Sequence, residues 1–208
     1  LMVIDHPIFL ESIRFIRSRL VANDLNYLEK KVLERLVHTS GDFTVQNLVN
    51  FSEGACEKGL QALKNGAPIL TDTDMAAAAI KSMAENTTRN KVFTARMWFG
   101  KNNHTNLTKT AYGLSEGWKE LSAINSGSKS PIVVIGSSPT ALTYLIDILE
   151  NAKDLPSLII GMPVGFIGVE NSKNKLISTD LPRIVLNSTR GGAAMAAAAV
   201  NALLRETI

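Results

Sequence analysis

Three histidines, one cysteine and one close pair of aspartates are the side chains of this 208-residue chain best suited to move a proton or bind a metal. His38 stands out among them. It lies in Val37-His38-Thr39-Ser40-Gly41-Asp42, at the end of a helix whose preceding face is apolar. An imidazole titrates near neutrality and can both give and accept a proton. The same position suits a capping histidine that bonds the last carbonyls of its helix, and residue type alone leaves both readings open. His6 precedes Pro7 and reads as structural, and His104 falls in the polar run Asn102-Asn103-His104-Thr105. No two histidines have metal-ligand spacing, so no metal site is expected. The lone Cys56 excludes an internal disulfide and a four-cysteine zinc site. Ser12, His38 and Asp42 have the residue types of a hydrolytic triad. However, the chain has no Gly-x-Ser-x-Gly elbow, and Ser12 falls within a helical pattern.

Anion-binding signals are weaker. Neither a Gly-x-x-x-x-Gly-Lys-Ser/Thr loop nor a Gly-x-Gly-x-x-Gly turn after a strand is present. Gly161-Met162-Pro163-Val164-Gly165 follows a strand pattern, but Pro163 removes an amide that a phosphate cradle would use. Arg190-Gly191-Gly192 leads into a helix of small residues. Helix amides attract anions there, and the small residues equally permit close packing on a sheet or on a second subunit. Asp72 and Asp74 could form an acid pair, but Asp74 reads more simply as the N-cap of the next helix.

These residues must be held by regular elements. Phe9, Ile13, Ile16 and Leu20 form one helical stripe, and Leu25, Leu28, Val32 and Leu36 a second that should stop near Gly41. A third helix is expected from about Ser52 to Gly66. Residues 1–65 therefore read as a helical N-terminal extension. From Ala67 short apolar runs alternate with helices. The runs are Pro68–Thr71, Lys91–Phe99, Ile132–Ile135, Leu158–Ile160 and Ile184–Leu186. Helices are expected over 75–85, 110–124, 139–151 and 192–205. That order predicts an α/β core over 66–208, a doubly wound parallel sheet of about five strands with Lys91–Phe99 at its edge, the whole chain forming one domain. Ligands of such sheets sit beyond the carboxyl ends of the strands.

Composition bounds the partners. Apolar residues make up 45% and charged residues 20%, which argues against disorder. A net charge of +3 is too mild to announce a nucleic-acid binder. No apolar run approaches a membrane span and no signal peptide is visible, so a soluble, cytoplasmic protein is expected. The surplus charge lies within 66–130, with eight bases against five acids, chiefly Lys81, Arg89, Lys91, Arg96, Lys101 and Lys109. Such a stretch is either a solvated edge or a rim for a polyanion.

Taken in order, the motifs resemble a known family. His6-Pro7-Ile8 with Glu11-Ser12-Ile13-Arg14 is followed by Arg35-Leu36-Val37-His38-Thr39-Ser40-Gly41-Asp42. Gly66-Ala67-Pro68-Ile69-Leu70-Thr71-Asp72-Thr73-Asp74-Met75 comes next, then Pro139-Thr140-Ala141-Leu142 and Gly161-Met162-Pro163-Val164-Gly165-Phe166-Ile167-Gly168. Arg190-Gly191-Gly192 and Ala198-Ala199-Val200-Asn201-Ala202-Leu203 close the set. Each block is weak alone. The ordered set, covering nearly the whole chain, resembles the precorrin-8X or cobalt-precorrin-8 methylmutases of cobalamin biosynthesis.

The resemblance implies a flavodoxin-like fold, a homodimer and no separate cofactor. It implies an isomerase that moves a methyl group from C11 to C12 of a corrinoid tetrapyrrole, giving hydrogenobyrinate, or cobyrinate when cobalt is present. The family's catalytic histidine falls on His38. Ser12, Arg14, Thr39, Lys81, Lys109, Arg190 and Gly191 are the implied substrate-binding residues. A carboxylate-rich macrocycle would also give the basic middle segment a purpose. Three blocks depart from the family pattern. Thr108-Lys109-Thr110 stands where Thr-Arg-Ser is common, which keeps the charge but loses bidentate geometry. Gly136-Ser137-Ser138-Pro139-Thr140 replaces Gly-Asn-Ala-Pro-Thr, and a basic pair before Gly-Gly is reduced to Thr189-Arg190. A non-catalytic corrinoid carrier on the same fold is the alternative, and a generic small-anion enzyme would need a much smaller pocket.

Overall fold

A computed structural model describes residues 6–21, 24–100 and 106–208. His104 and Lys101 lie outside the described residues.

The apolar runs become strands because each fits between two helical layers. This is plainest in β4 (Ile132–Ile135) and β5 (Leu158–Gly161), which are buried at every position. Ile132, Val134, Leu158 and Ile160 enter one apolar cluster, and Val133, Ile135 and Ile159 enter the other. Strands covered on both faces read as continuous apolar runs for this reason. With β1 (Val49–Phe51), β2 (Ile69–Thr71), β3 (Val92–Thr94) and β6 (Arg183–Leu186) they form one sheet in the order β1-β6-β5-β4-β2-β3. All neighbours are parallel except β1 and β6. Setting β1 aside, the order is that of flavodoxin-like sheets, with the switch point between β2 and β4.

One face is covered by α3 (Ala55–Lys64), α4 (Asp74–Asn86) and α8 (Ala193–Arg205), the other by α5 (Lys109–Ile124), α6 (Pro139–Leu149) and α7 (Val169–Ile177). On the first face, α1 (Pro7–Arg17) and α2 (Tyr27–Ser40) add an outer layer that packs through Ile13, Ile16, Val32 and Leu36. Helix α8 is thus enclosed, with Ala196 to Val200 all buried. Its run of alanines lets the sheet, α2 and α4 approach together. No helix among the described residues is long and apolar enough to cross a membrane.

The structure departs from the sequence reading at five places. The sheet has six strands among the described residues, since Val49-Asn50-Phe51 pairs antiparallel with β6, Val49 opposite Leu186. Residues 1–65 are therefore not wholly helical, and three residues are too few for a period to show. The third helix starts at Ala55, not Ser52. The Lys91–Phe99 run is an edge strand only over β3, after which Ala95–Trp98 coils into a 3-10 turn. Helix α7 was not foreseen. Thr73, not Asp74, caps α4 by accepting from the Ala76 amide at 3.3 Å, and Asp74 pairs instead with Arg96 at 2.9 Å.

Candidate active site around His38

Helix α2 opens with a reciprocal capping box between Asn26 and Glu29 and closes at Gly41, which takes the left-handed conformation at φ 65°. His38 lies in its last turn but does not cap it. Its Nδ1 lies 3.0 Å from Ser12 Oγ on α1, 26 residues away in sequence. The ring of Phe9 meets the imidazole edge-on at 5.2 Å. Among the described residues, Nε2 has no hydrogen-bond partner. Partial burial, and then the charge of Arg35, hold His38 below the ordinary histidine range. The neutral imidazole is accordingly its state at pH 7.

Asp42 does not complete a triad. Its carboxylate accepts from the Thr44 amide at 2.8 Å and from the Thr44 hydroxyl at 2.7 Å, and it pairs with Arg190. The Thr44 contacts and then Arg190 hold it down at about 2. Arg190 also donates to Thr44 Oγ1 at 2.8 Å. Gly191 follows with φ 157°, and a Cβ there would lie 2.1 Å from the Met162 carbonyl oxygen, so no other residue fits. Thr39, Arg190 and Gly191 line one cavity of about 210 Å³ with Met195.

Arg14 lies elsewhere. It lines a groove of about 510 Å³ between α1, α2 and the end of α8, with Arg17, Lys31, Arg35 and Arg205. Arg17 is committed to Glu34 through two bonds of 2.6 and 2.8 Å. Arg35 and Arg205 each lie 5.1 Å from the Phe9 ring centre. Phe9 thus lines this groove and touches His38 as well, a link that no motif announced.

Lys109 stands exposed at the first turn of α5, at the switch point. Its neighbour Thr108 caps α5, and its hydroxyl lies 3.1 Å from that of Thr140 on α6. Beneath them Asp72 is buried and accepts from the Ser137 and Ser138 amides at 2.6 and 3.0 Å. Burial raises its pKa, against the pull of those amides. Lys81 is exposed halfway along α4, and no described contact ties it to His38. The basic middle segment does not form one rim. Arg89 and Lys91 precede β3 at the amino end of the sheet, whereas Arg96 and Lys109 stand at the carboxyl end.

Lys173 is the residue that sequence reasoning missed. It is fully buried on α7, and its Nζ donates to the carbonyls of Ser188 and Arg190, each at 2.6 Å. Burial pushes its pKa down to about 8. The signal was a lysine within the apolar face set by Val169 and Leu176.

A flavodoxin-like sheet, a half-buried neutral histidine and cationic groups at the same end define an α/β protein of the doubly wound class with a titratable, basic rim. The comparisons with known proteins narrow that class. The family model described as CbiC, precorrin-8X methylmutase, matches residues 7–206. A precorrin-8X methylmutase of Pseudomonas aeruginosa is 37% identical over 188 residues, covering 85% of this chain and 84% of that one. A cobalt-precorrin-8 methylmutase of Synechocystis sp. is 30% identical over 97% of this chain and 95% of its own. The crystal structure of the precorrin-8x methyl mutase from Thermus thermophilus superposes with a TM-score of 0.83 at 29% identity, covering 96% of this chain and 95% of that one. The chain belongs to the precorrin-8X methylmutase family, whose members are isomerases of cobalamin biosynthesis.

Proposed function

We propose that this chain moves a methyl group from C11 to C12 of precorrin-8X or cobalt-precorrin-8, giving hydrogenobyrinate or cobyrinate, with His38 as the group that contacts the macrocycle. One C–C bond breaks and another forms within the same molecule. The step therefore needs no hydride donor and no external nucleophile. It needs one tautomer of the macrocycle held in a fixed orientation. The observation that carries the reading is the Ser12–His38 contact. With the Ser12 hydroxyl donating to Nδ1, one of the two directions that the contact allows, the hydrogen sits on Nε2, the nitrogen without a described partner. That N–H can donate to a ring atom of the substrate, and the lowered pKa keeps the imidazole neutral for it.

Thr39, Arg190 and Gly191 would meet the substrate on the β6 side, Lys109 at the switch point, and Arg14 from the groove beside Phe9. Lys81 would act only at long range from its exposed place on α4. In this reading the protein works as a homodimer in the cytoplasm, without a cofactor. Phe166 and Ile167, 90% and 89% exposed next to the rim, offer that dimer an apolar contact. A non-catalytic corrinoid carrier is not favoured, because the relatives are named as methylmutases and His38 stands in a built environment.

The test is anaerobic incubation with precorrin-8X, and then with cobalt-precorrin-8, followed by absorption spectroscopy. The wild type converts one of them. His38→Ala slows conversion by about 10²- to 10⁴-fold, the usual contribution of a positioned acid–base group. Equal rates for the two proteins would sink the role of His38. The neutral imidazole also predicts a rate that falls as pH drops through the lowered His38 pKa and levels off above it.

A further inference from the structure

Lys173 is the largest fully buried side chain among the described residues, with 0% exposure. A charged group is rarely kept in such a place unless its bonds do something that an apolar residue could not. Its two acceptors, the carbonyls of Ser188 and Arg190, flank Thr189 in the loop between β6 and α8. Both are turned toward the buried ammonium. Without it they would lose that donor.

The rest of that loop is built around this turn. The Gly165 amide donates to Thr189 O at 3.0 Å and the Gly192 amide to Met162 O at 2.9 Å, which ties the loop to the segment after β5. With its carbonyl held inward, Arg190 reaches outward to Asp42 and Thr44. Asp42 directly follows the Gly41 cap of α2, one turn beyond His38. A continuous set of contacts thus runs from α7, through the loop, to the end of the helix that carries the histidine.

We propose that Lys173 is a positioning residue of the methylmutase site: by holding the carbonyls of Ser188 and Arg190 inward, it sets Arg190 and Gly191 against the substrate and fixes the His38 end of α2. This rests on the reading that places the substrate against His38, Arg190 and Gly191. Lys173 itself, enclosed by α7 and the loop, does not touch the substrate.

The experiment is a double-mutant cycle on the full chain with Lys173→Met, Arg190→Ala and the pair, using whichever of the two corrinoids the wild type converts. Each single change is expected to raise KM about tenfold or more, with a smaller fall in kcat. The pair should be no worse than the more damaging single change to within about threefold, because both act through one loop. A merely structural lysine predicts instead unchanged KM and multiplied effects in the pair, whatever the change in melting temperature, and that result overturns the proposal. If Lys173→Met does not fold, Lys173→Gln takes its place. Its shorter, uncharged amide cannot hold both carbonyls as the ammonium does, and a KM between those of wild type and Arg190→Ala is expected. A folded glutamine variant with wild-type KM overturns the proposal. His38→Ala runs alongside. If it converts substrate as fast as wild type, the site reading itself has failed. If it is inactive while the Lys173 variant behaves as wild type, only the role of Lys173 has failed.

Discussion

Two loops at the carboxyl end of the sheet are fixed by opposite charges. The loop after β4 is held by a buried carboxylate: Asp72 accepts the amides of Ser137 and Ser138. The loop after β6 is held by a buried ammonium: Lys173 donates to the carbonyls of Ser188 and Arg190. In the first loop the amides turn inward, and hydroxyls of Ser138 and Thr140 remain at its mouth. In the second the carbonyls turn inward, and the Arg190 guanidinium stands at the mouth. Placing a charge beneath a loop therefore decides which polar face the loop offers. The loop nearer His38 is the one whose own backbone turn leaves a guanidinium outward.

The largest effect that would sharpen this contrast is expected from Asp72→Ala. It leaves two inward amides without an acceptor and should cost about 3 kcal/mol of unfolding free energy. Asp72→Asn, which keeps one acceptor oxygen, should cost about half as much in the same urea titration. Lys173→Met comes next, at about 1–2 kcal/mol, because relief of a buried charge offsets part of the loss of two carbonyl partners. If Lys173→Met costs as much as Asp72→Ala, the two loops are held equally and the contrast drawn from charge fails. The pH dependence gives a further contrast, comparable in size to the loss of the lysine. The folded pKa of Lys173 lies near 8, below the ordinary value of 10.5, so the unfolded chain binds the extra proton between those values. The lysine therefore penalises folding fully below about pH 8, and the penalty fades as pH rises toward 10.5. Wild-type stability should gain on Lys173→Met between about pH 7.5 and 9.5. Asp72, whose pKa is raised, gives the mirror image: its penalty fades as pH falls toward 3.8. A flat stability difference between wild type and Asp72→Asn across acidic pH would break the symmetry.

Most of the sheet was legible because β4 and β5 carry their burial in their composition. The doubly wound parallel sheet followed from alternation, and its flavodoxin-like character from the family resemblance. Strand β1 was hidden because it has three residues, all half-buried, with a polar Asn50 at its centre. Helix α7 was hidden because it begins at Gly168 without a side-chain cap and places a lysine on its core face. At the site, the family blocks singled out His38 as the catalytic residue and Ser12 as a substrate contact, but not that the two side chains meet. The contacts that fix their surroundings were not legible either. Asp72 meets Ser137 across 65 residues, and Arg190 meets Asp42 across 148. No local period encodes such distances. Charge counting failed for the basic middle segment for a related reason: neighbours such as Lys91 and Arg96 are carried to opposite ends of the sheet by the strand between them.

The antiparallel pairing of β1 with β6 has a consequence for the order in which the molecule is made. Val49 must wait for Leu186, and Asp42 for Arg190. During synthesis the outer helices can form early, but their rim contacts through Val49 and Asp42 wait until the last strand has emerged. Contacts between such distant parts of a chain close slowly. His38 is thus translated long before the loop that fixes its helix exists, and the competent site is a late product of folding rather than a feature of its first compact forms.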